Sequence, residues 1–260
     1  MAWLWAIYQE PMFWLLVVGG NLIGMAAFLA FAGPMTWLAV RDPERLRPYR
    51  IQQGRRPRRP KVIQESIRSW LLNNALMFAL SAALWPLLRL TDIHWGPLPP
   101  WYVIVLQVVF FIYLDDALYY IMHRSMHRSR WLFKHVHSVH HRVRTPWAIT
   151  GHYMHPAEYV ATGTLMLVGP ALVGCHVGVL WLWIVIRQWE AAEGHCGYDL
   201  PWSPTHLLPG GDGARHHDFH HAKVRGNYAG FLAWLDGLLG TYVRGYPDEG
   251  SSRYRDPDAD

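Results

Sequence analysis

Four stretches of the chain are apolar well beyond the needs of a soluble core. Met12 to Ala32 is a 21-residue run interrupted by a single polar side chain, Asn21, and Trp70 to Leu88, Trp101 to Leu114 and Tyr159 to Ile186 are similarly apolar. About 20 apolar residues wound as a helix cross the hydrocarbon of a bilayer, so this pattern predicts membrane helices. The fourth stretch is long for one crossing and is broken at Gly169-Pro170 and at Gly174. Such breakers predict a hairpin that enters and returns. The expected fold is therefore an all-α integral membrane protein with about four transmembrane helices, the last region a hairpin, and a helical cytoplasmic part beyond them.

Charge gives that fold a direction. Residues 1–11 and the loop 91–100 contain no Lys or Arg, whereas residues 41–61 hold nine basic residues. Because basic loops stay on the cytoplasmic side, 41–68 and everything from 123 onward are expected to face the cytoplasm. The net charge of +5 then needs no nucleic acid. The basic run reads as a juxtamembrane loop that meets anionic lipid, and it lacks interleaved aromatic stacking platforms. The tryptophans Trp3, Trp5, Trp70, Trp85, Trp95 and Trp101 are expected near the membrane interfaces. The first run lacks the basic flank of a signal peptide and is expected to be retained. Cys175 and Cys196 form no CxxC pair and no disulfide framework.

Against this apolar background the histidines stand out. Residues 123–141 read HRSMHRSRWLFKHVHSVHH, and residues 215–221 read RHHDFHH. His123 and His127 share a helical face, and His137, His140, His141 repeat an i, i+3, i+4 spacing that His217, His220, His221 share. Packed imidazoles repel when charged, so the grouping fits neutral, metal-bound rings. More ligands are available than one ion takes, which points to two metals. All-imidazole ligation suits Fe, Zn, Cu or Ni alike, and there is no HExxH to supply a zinc protease with its base. Asp116, Glu193 and Asp218 are carboxylates placed to orient ligand imidazoles. The isolated His94, His176 and His206 read as ordinary hydrogen-bonded residues. A non-enzymatic metal carrier would instead line its membrane spans with ionisable groups.

From about Asp115 to Tyr242 the chain resembles the fatty acid hydroxylase / sterol desaturase superfamily of membrane di-iron enzymes. The resemblance rests on DDALYYIMHRSMH, HSVHH, YMHPAE, GHCGYDLPW and HHDFHHAKVRGNYAGFLAWLDGLLGTY, in the family's order. Within the superfamily, LVGCH, HCGYDLPWS and RPYRIQ are similar to the wording of cholesterol 25-hydroxylases, and HPAE to that of C4-methylsterol oxidases. The resemblance implies one domain over 1–260, with 1–114 mainly membrane helices and basic loop and 115–242 the histidine-box region. It implies metal-ligand roles for His123, His127, His137, His140, His141, His155, His195, His217, His220 and His221, and leaves His135, His152 and His216 outside the ligand set. Cys196 stands where the family usually has Ser or Thr and is read as filling space. The implied cofactors are two iron ions, with dioxygen as co-substrate. The implied partners are a lipid substrate, sterol by the wording, and an electron donor such as cytochrome b5 or ferredoxin with its reductase, since no GxGxxG fingerprint is present. The same boxes also serve fatty acyl or carotenoid substrates, and desaturation.

Overall fold

The computed structural model describes residues 5–53 and 60–243. Trp3, the middle of the basic loop and the final SSRYRDPDAD lie outside the described residues. Within them the chain is helical, with no strand. Six helices matter for the site: α1 (Phe13–Arg41), α2 (Pro60–Ala83), α3 (Trp101–Arg128), α4 (Arg130–His135), α5 (Pro156–Val173) and α6 (Val177–Gly194). They are followed by α7 (Gly213–Lys223) and the short α8 (Trp234–Leu238).

Two helices, α1 and α3, are long and apolar enough to cross a membrane. Only 33% and 22% of their apolar windows are buried, which is not the profile of a core helix in a soluble domain. Leu22, Trp37, Val105 and Leu106 stand more than half exposed on them, an outer surface suited to hydrocarbon rather than water. The apolar run at Trp70 to Leu88 behaves differently from expectation. Its helix α2 starts ten residues earlier, in the polar segment KVIQESIRS, and stops at Ala83, after which Trp85–Leu88 forms a separate turn containing Pro86. Trp70 and Trp85 are buried within the bundle, and Trp85 donates its indole N–H to the Ile7 carbonyl at 2.8 Å.

The stretch from 159 to 186 is a helical hairpin. Helix α5 ends at Gly174, whose φ of 58° is the left-handed conformation a glycine adopts without a Cβ penalty. Two residues on, the His176 side chain accepts the Gly178 N–H at 3.0 Å and starts α6. The turn is pinned by the loop before α3, through His94 N–H to Cys175 O (3.2 Å) and Val177 N–H to His94 O (2.8 Å). His94 and His176 are thus the ordinary hydrogen-bonded residues the sequence implied. Glu10 and Arg89 pair at the same end of the bundle.

The helices approach closely where side chains are small. A Cβ on Gly169 of α5 would lie 2.7 Å from the Phe111 ring of α3, and one on Gly19 of α1 would lie 3.0 Å from Trp181 of α6. Backbones in membrane bundles meet at such positions. At the far end of the bundle, the front of the basic loop packs onto the rest of the protein. Asp42 holds Arg47 and Arg50, and Ile51 N–H bonds to Gly197 O at 3.1 Å, so 42–53 folds against the histidine-bearing segments.

Candidate metal centre

Four segments meet at the end of the bundle opposite the hairpin turn. Helix α3 carries His123 and His127, a 3-10 helix (His137–Arg142) carries His137, His140 and His141, His195 caps α6, and α7 carries His217, His220 and His221. Their rings form two groups: His123, His127, His137, His141 and His220 in one, and His140, His195, His217 and His221 in the other, with the possible ligand atoms of each group within 4.8 Å of one another. Each HxxHH segment contributes to both groups. The two i, i+3, i+4 segments therefore straddle the pair. In both segments the i and i+4 rings join one group and the i+3 ring joins the other.

The Nε2 atoms face inward. His123 and His137 approach to 3.0 Å, His137 and His127 to 2.9 Å, His127 and His141 to 3.1 Å, and His141 and His220 to 3.1 Å. In the second group His195 lies 3.1 Å from both His217 and His221 and 3.3 Å from His140. The His123–His137 and His195–His221 contacts are not hydrogen bonds, because the opposite ring nitrogens fix the tautomer of all four rings. Nδ1–H of His123 donates to Tyr228 O (2.6 Å), that of His220 to Gly226 O (2.7 Å), that of His195 to Ala191 O (2.7 Å) and that of His221 to Val143 O (2.9 Å). His137 donates Nδ1–H to Glu158 Oε1 at 2.7 Å. A ring that donates from Nδ1 while neutral has only a lone pair at Nε2. Lone pairs face one another at about 3 Å when a cation lies between them, and metal–nitrogen bonds of about 2.0–2.1 Å at right angles give that separation. The donor set fits two metal ions.

The rings are also kept neutral. Burial first, then neighbouring imidazoles, hold His141, His217 and His220 far below the usual histidine range, and burial lowers His140 to about 4. A neutral imidazole is the ligand form.

Of the ten predicted ligands, His155 stays apart. Its Nδ1 accepts the Ala157 N–H at 3.2 Å and caps α5. The reason is local: the residue before Pro156 is extended, which turns the ring back onto its own helix start. The predicted carboxylates also act elsewhere. Asp116 accepts Phe231 N–H (2.8 Å), Leu232 N–H (3.1 Å) and the Trp234 indole N–H (2.9 Å), Glu193 accepts from the hydroxyls of Ser203 and Thr205, and Asp218 accepts from Gln52 Nε2 at 2.8 Å. In none of these hydrogen bonds is the partner a ligand ring.

Two residues missed in the sequence do that work. Glu158, three positions after His155, orients His137 directly. Asp236 accepts Tyr228 N–H and Ala229 N–H (both 2.8 Å) and the Thr241 hydroxyl (2.6 Å), with His216 at 3.1 Å. It ties down the 226–230 loop whose carbonyls orient His123 and His220. The HPAE wording contained the signal for Glu158, while Asp236 carried none. His135 bonds to its own helix at Trp131 O, and His152 stacks on Phe28 at 3.9 Å. Cys196 donates to Tyr198 O, and burial pushes its thiol up to about 12, so it is a buried filler and not a thiolate.

A cavity opens from the second group into the bundle. His195, His217, Arg187 and Glu190 line its inner end, and Leu16, Met77, Met166, Leu167 and Leu180 line the rest. Arg187 is held there between Asp115, at 2.6 Å, and Glu190.

Residues 108–241 match the family described as Fatty acid hydroxylase. The chain is 35% identical to methylsterol monooxygenase 2-2 of Arabidopsis thaliana over 244 residues, 92% of this chain and 90% of that one. It is 49% identical to very-long-chain aldehyde decarbonylase GL1-11 of Oryza sativa subsp. indica over 148 residues, 56% of this chain and 55% of the other, so it spans about half the length of that relative. Methylsterol monooxygenase 1 of Gallus gallus is 39% identical over 148 residues, 57% of this chain and 50% of the other. No solved structure matches.

Proposed function

The chain belongs to the fatty acid hydroxylase family, and from that premise we propose that it is a membrane oxidoreductase that hydroxylates a sterol or related lipid, or oxidises a methyl group on one. The observation that carries this reading is the convergence of nine histidine Nε2 atoms into two groups at the inner end of an apolar cavity. Iron bound by these rings supplies dioxygen activation and attack on an unactivated C–H bond. One oxygen atom enters the lipid and the other leaves as water, which consumes two electrons and two protons. The electrons come from a separate donor of the cytochrome b5 or ferredoxin kind.

The chain's own residues bind, orient and exclude. His123, His127, His137, His141 and His220 hold one ion, and His140, His195, His217 and His221 the other. Glu158 and the carbonyls of Tyr228, Gly226, Ala191 and Val143 fix the ring orientations. Such outer partners commonly change metal affinity 10- to 100-fold, as an order of magnitude. The cavity admits apolar chain or ring and keeps bulk water from the metals.

Helices α1, α2 and α3 and the α5–α6 hairpin make about four membrane passages, in the endoplasmic reticulum or a bacterial inner membrane, with the histidines on the cytoplasmic side. Two features support this arrangement: the hairpin turn sits with residues 7–10 and 85–96, and apart from Arg89 the described basic residues lie toward the histidine end. Sterol is preferred as substrate because the match to a methylsterol monooxygenase runs along nearly the whole chain, whereas the match to the decarbonylase covers 148 residues. The test is expression in sterol-producing cells and in cells supplied with fatty acids, followed by lipid profiling. A sterol that gains one oxygen supports the reading, and oxygen gained only by acyl chains moves the substrate to another lipid class.

A further inference from the structure

Asn21 is the one polar side chain in the 21-residue apolar run of α1, and neither the metal groups nor the proposed chemistry uses it. It lines the cavity together with Ser81 of α2. Its Nδ2 donates to Val17 O at 2.7 Å and to Ser81 Oγ at 3.1 Å, and Ser81 in turn donates to Phe78 O at 3.0 Å. Both amide N–H groups are spoken for. The amide Oδ1 has no donor among the described residues.

The register places this acceptor well away from the metal groups. Cβ atoms on Gly20 and Gly24, which flank Asn21, would stand 3.6 and 3.5 Å from the Ile184 side chain of α6. Asn21 is therefore level with Ile184, and His195 follows eleven residues later (184 to 195), about 16 Å along the helix. The α6 lining between them carries Arg187, Gln188 and Glu190, while Met77, Met166 and Leu167 supply apolar surface from the other helices. Holding two helices together needs only the Nδ2–Ser81 bond. An unanswered carbonyl beside hydrocarbon is costly unless a donor arrives.

We propose that Asn21, set in place by Ser81, is the recognition point for a single hydroxyl on an otherwise apolar lipid. The lipid alcohol donates to Asn21 Oδ1, and its remote end lies toward the metal groups. This inference rests on the cavity being the substrate cavity. Asn21 thereby selects and orients the lipid without touching the reacting carbon.

The test uses the full chain, metal-loaded, in phosphatidylcholine nanodiscs, with equilibrium binding of two ligand pairs: cholesterol against its 3-deoxy analogue, and hexadecanol against hexadecane. The wild type should prefer the alcohol in at least one pair by about fivefold or more, the value of one net hydrogen bond. Asn21→Leu should bind alcohol and hydrocarbon equally while keeping its metal. If Asn21→Leu loses metal, Ser81→Ala, which frees the amide to rotate, serves the same comparison and should weaken the preference. A preference that survives these substitutions overturns the proposal, as does a wild type that binds all four ligands without preference; the substrate reading of the cavity survives both results. If none of the four ligands enters, that reading falls and the proposal with it.

Discussion

His137 donates its Nδ1–H to Glu158 Oε1 at 2.7 Å, and both side chains are almost fully buried. The bond joins the 3-10 helix of the second histidine motif to the first turn of the hairpin helix α5. It fixes His137 with Nε2 as its lone-pair nitrogen, 3.0 Å from His123 and 2.9 Å from His127 and His141. A ring in the metal group is thus oriented from inside the bundle.

Glu158→Gln should keep the shape and weaken the acceptor. Metal affinity of the five-histidine group is expected to fall about 10- to 100-fold, with the four-histidine group less affected. Competition with a chelator of known affinity measures it, and equal losses at the two groups would contradict the assignment.

Asp236→Ala should act at a distance through the 226–230 loop. It leaves the buried N–H groups of Tyr228 and Ala229 unanswered, a cost on the order of 3 kcal/mol. It also releases the carbonyls that orient His123 and His220. Thermal unfolding and metal content should both drop, while His216→Ala, which removes one of several partners, should do less.

His155→Ala is expected to leave metal content unchanged, because the ring caps α5 and stands outside both groups. His127→Ala should lower metal content. Metal analysis of the two variants side by side checks the separation.

Acid should destabilise the metal-free chain. His140 is held at about 4 by burial, against about 6.5 unfolded. Between those values the unfolded chain binds a proton that the folded chain refuses, so stability falls as pH drops from 6.5 toward 4 and is level above 6.5. This one ring contributes on the order of 3 kcal/mol to the change, and its neighbours shift in the same direction. Melting of the chelator-treated protein at pH 7.5, 6 and 5 should show a progressive fall.

The parts of this architecture that depend on local chemistry were legible in the sequence. Gly174 marked the hairpin turn, and the histidine spacings identified eight of the nine residues that converge, His195 being implied only by the family resemblance. What the spacing could not give was the partition, since which group a ring joins depends on where the other three segments bring their histidines. The hydrogen-bond partners of the carboxylates were not legible for a related reason. Asp116 sits two turns before His123 on α3, but its partners come from a loop 115 residues later, at Phe231 and Leu232. In HPAE the histidine drew attention, although Pro156 turns His155 away and the first helical turn sends Glu158 inward. Tertiary contacts of this kind leave no periodicity.

Two metal ions held by nine histidines fix a stoichiometry. The direct measurement is the metal-to-chain ratio of protein purified anaerobically from iron-supplied cells, by elemental mass spectrometry. Two irons per chain are expected. A ratio that stays at one when iron is in excess would contradict the two-metal centre.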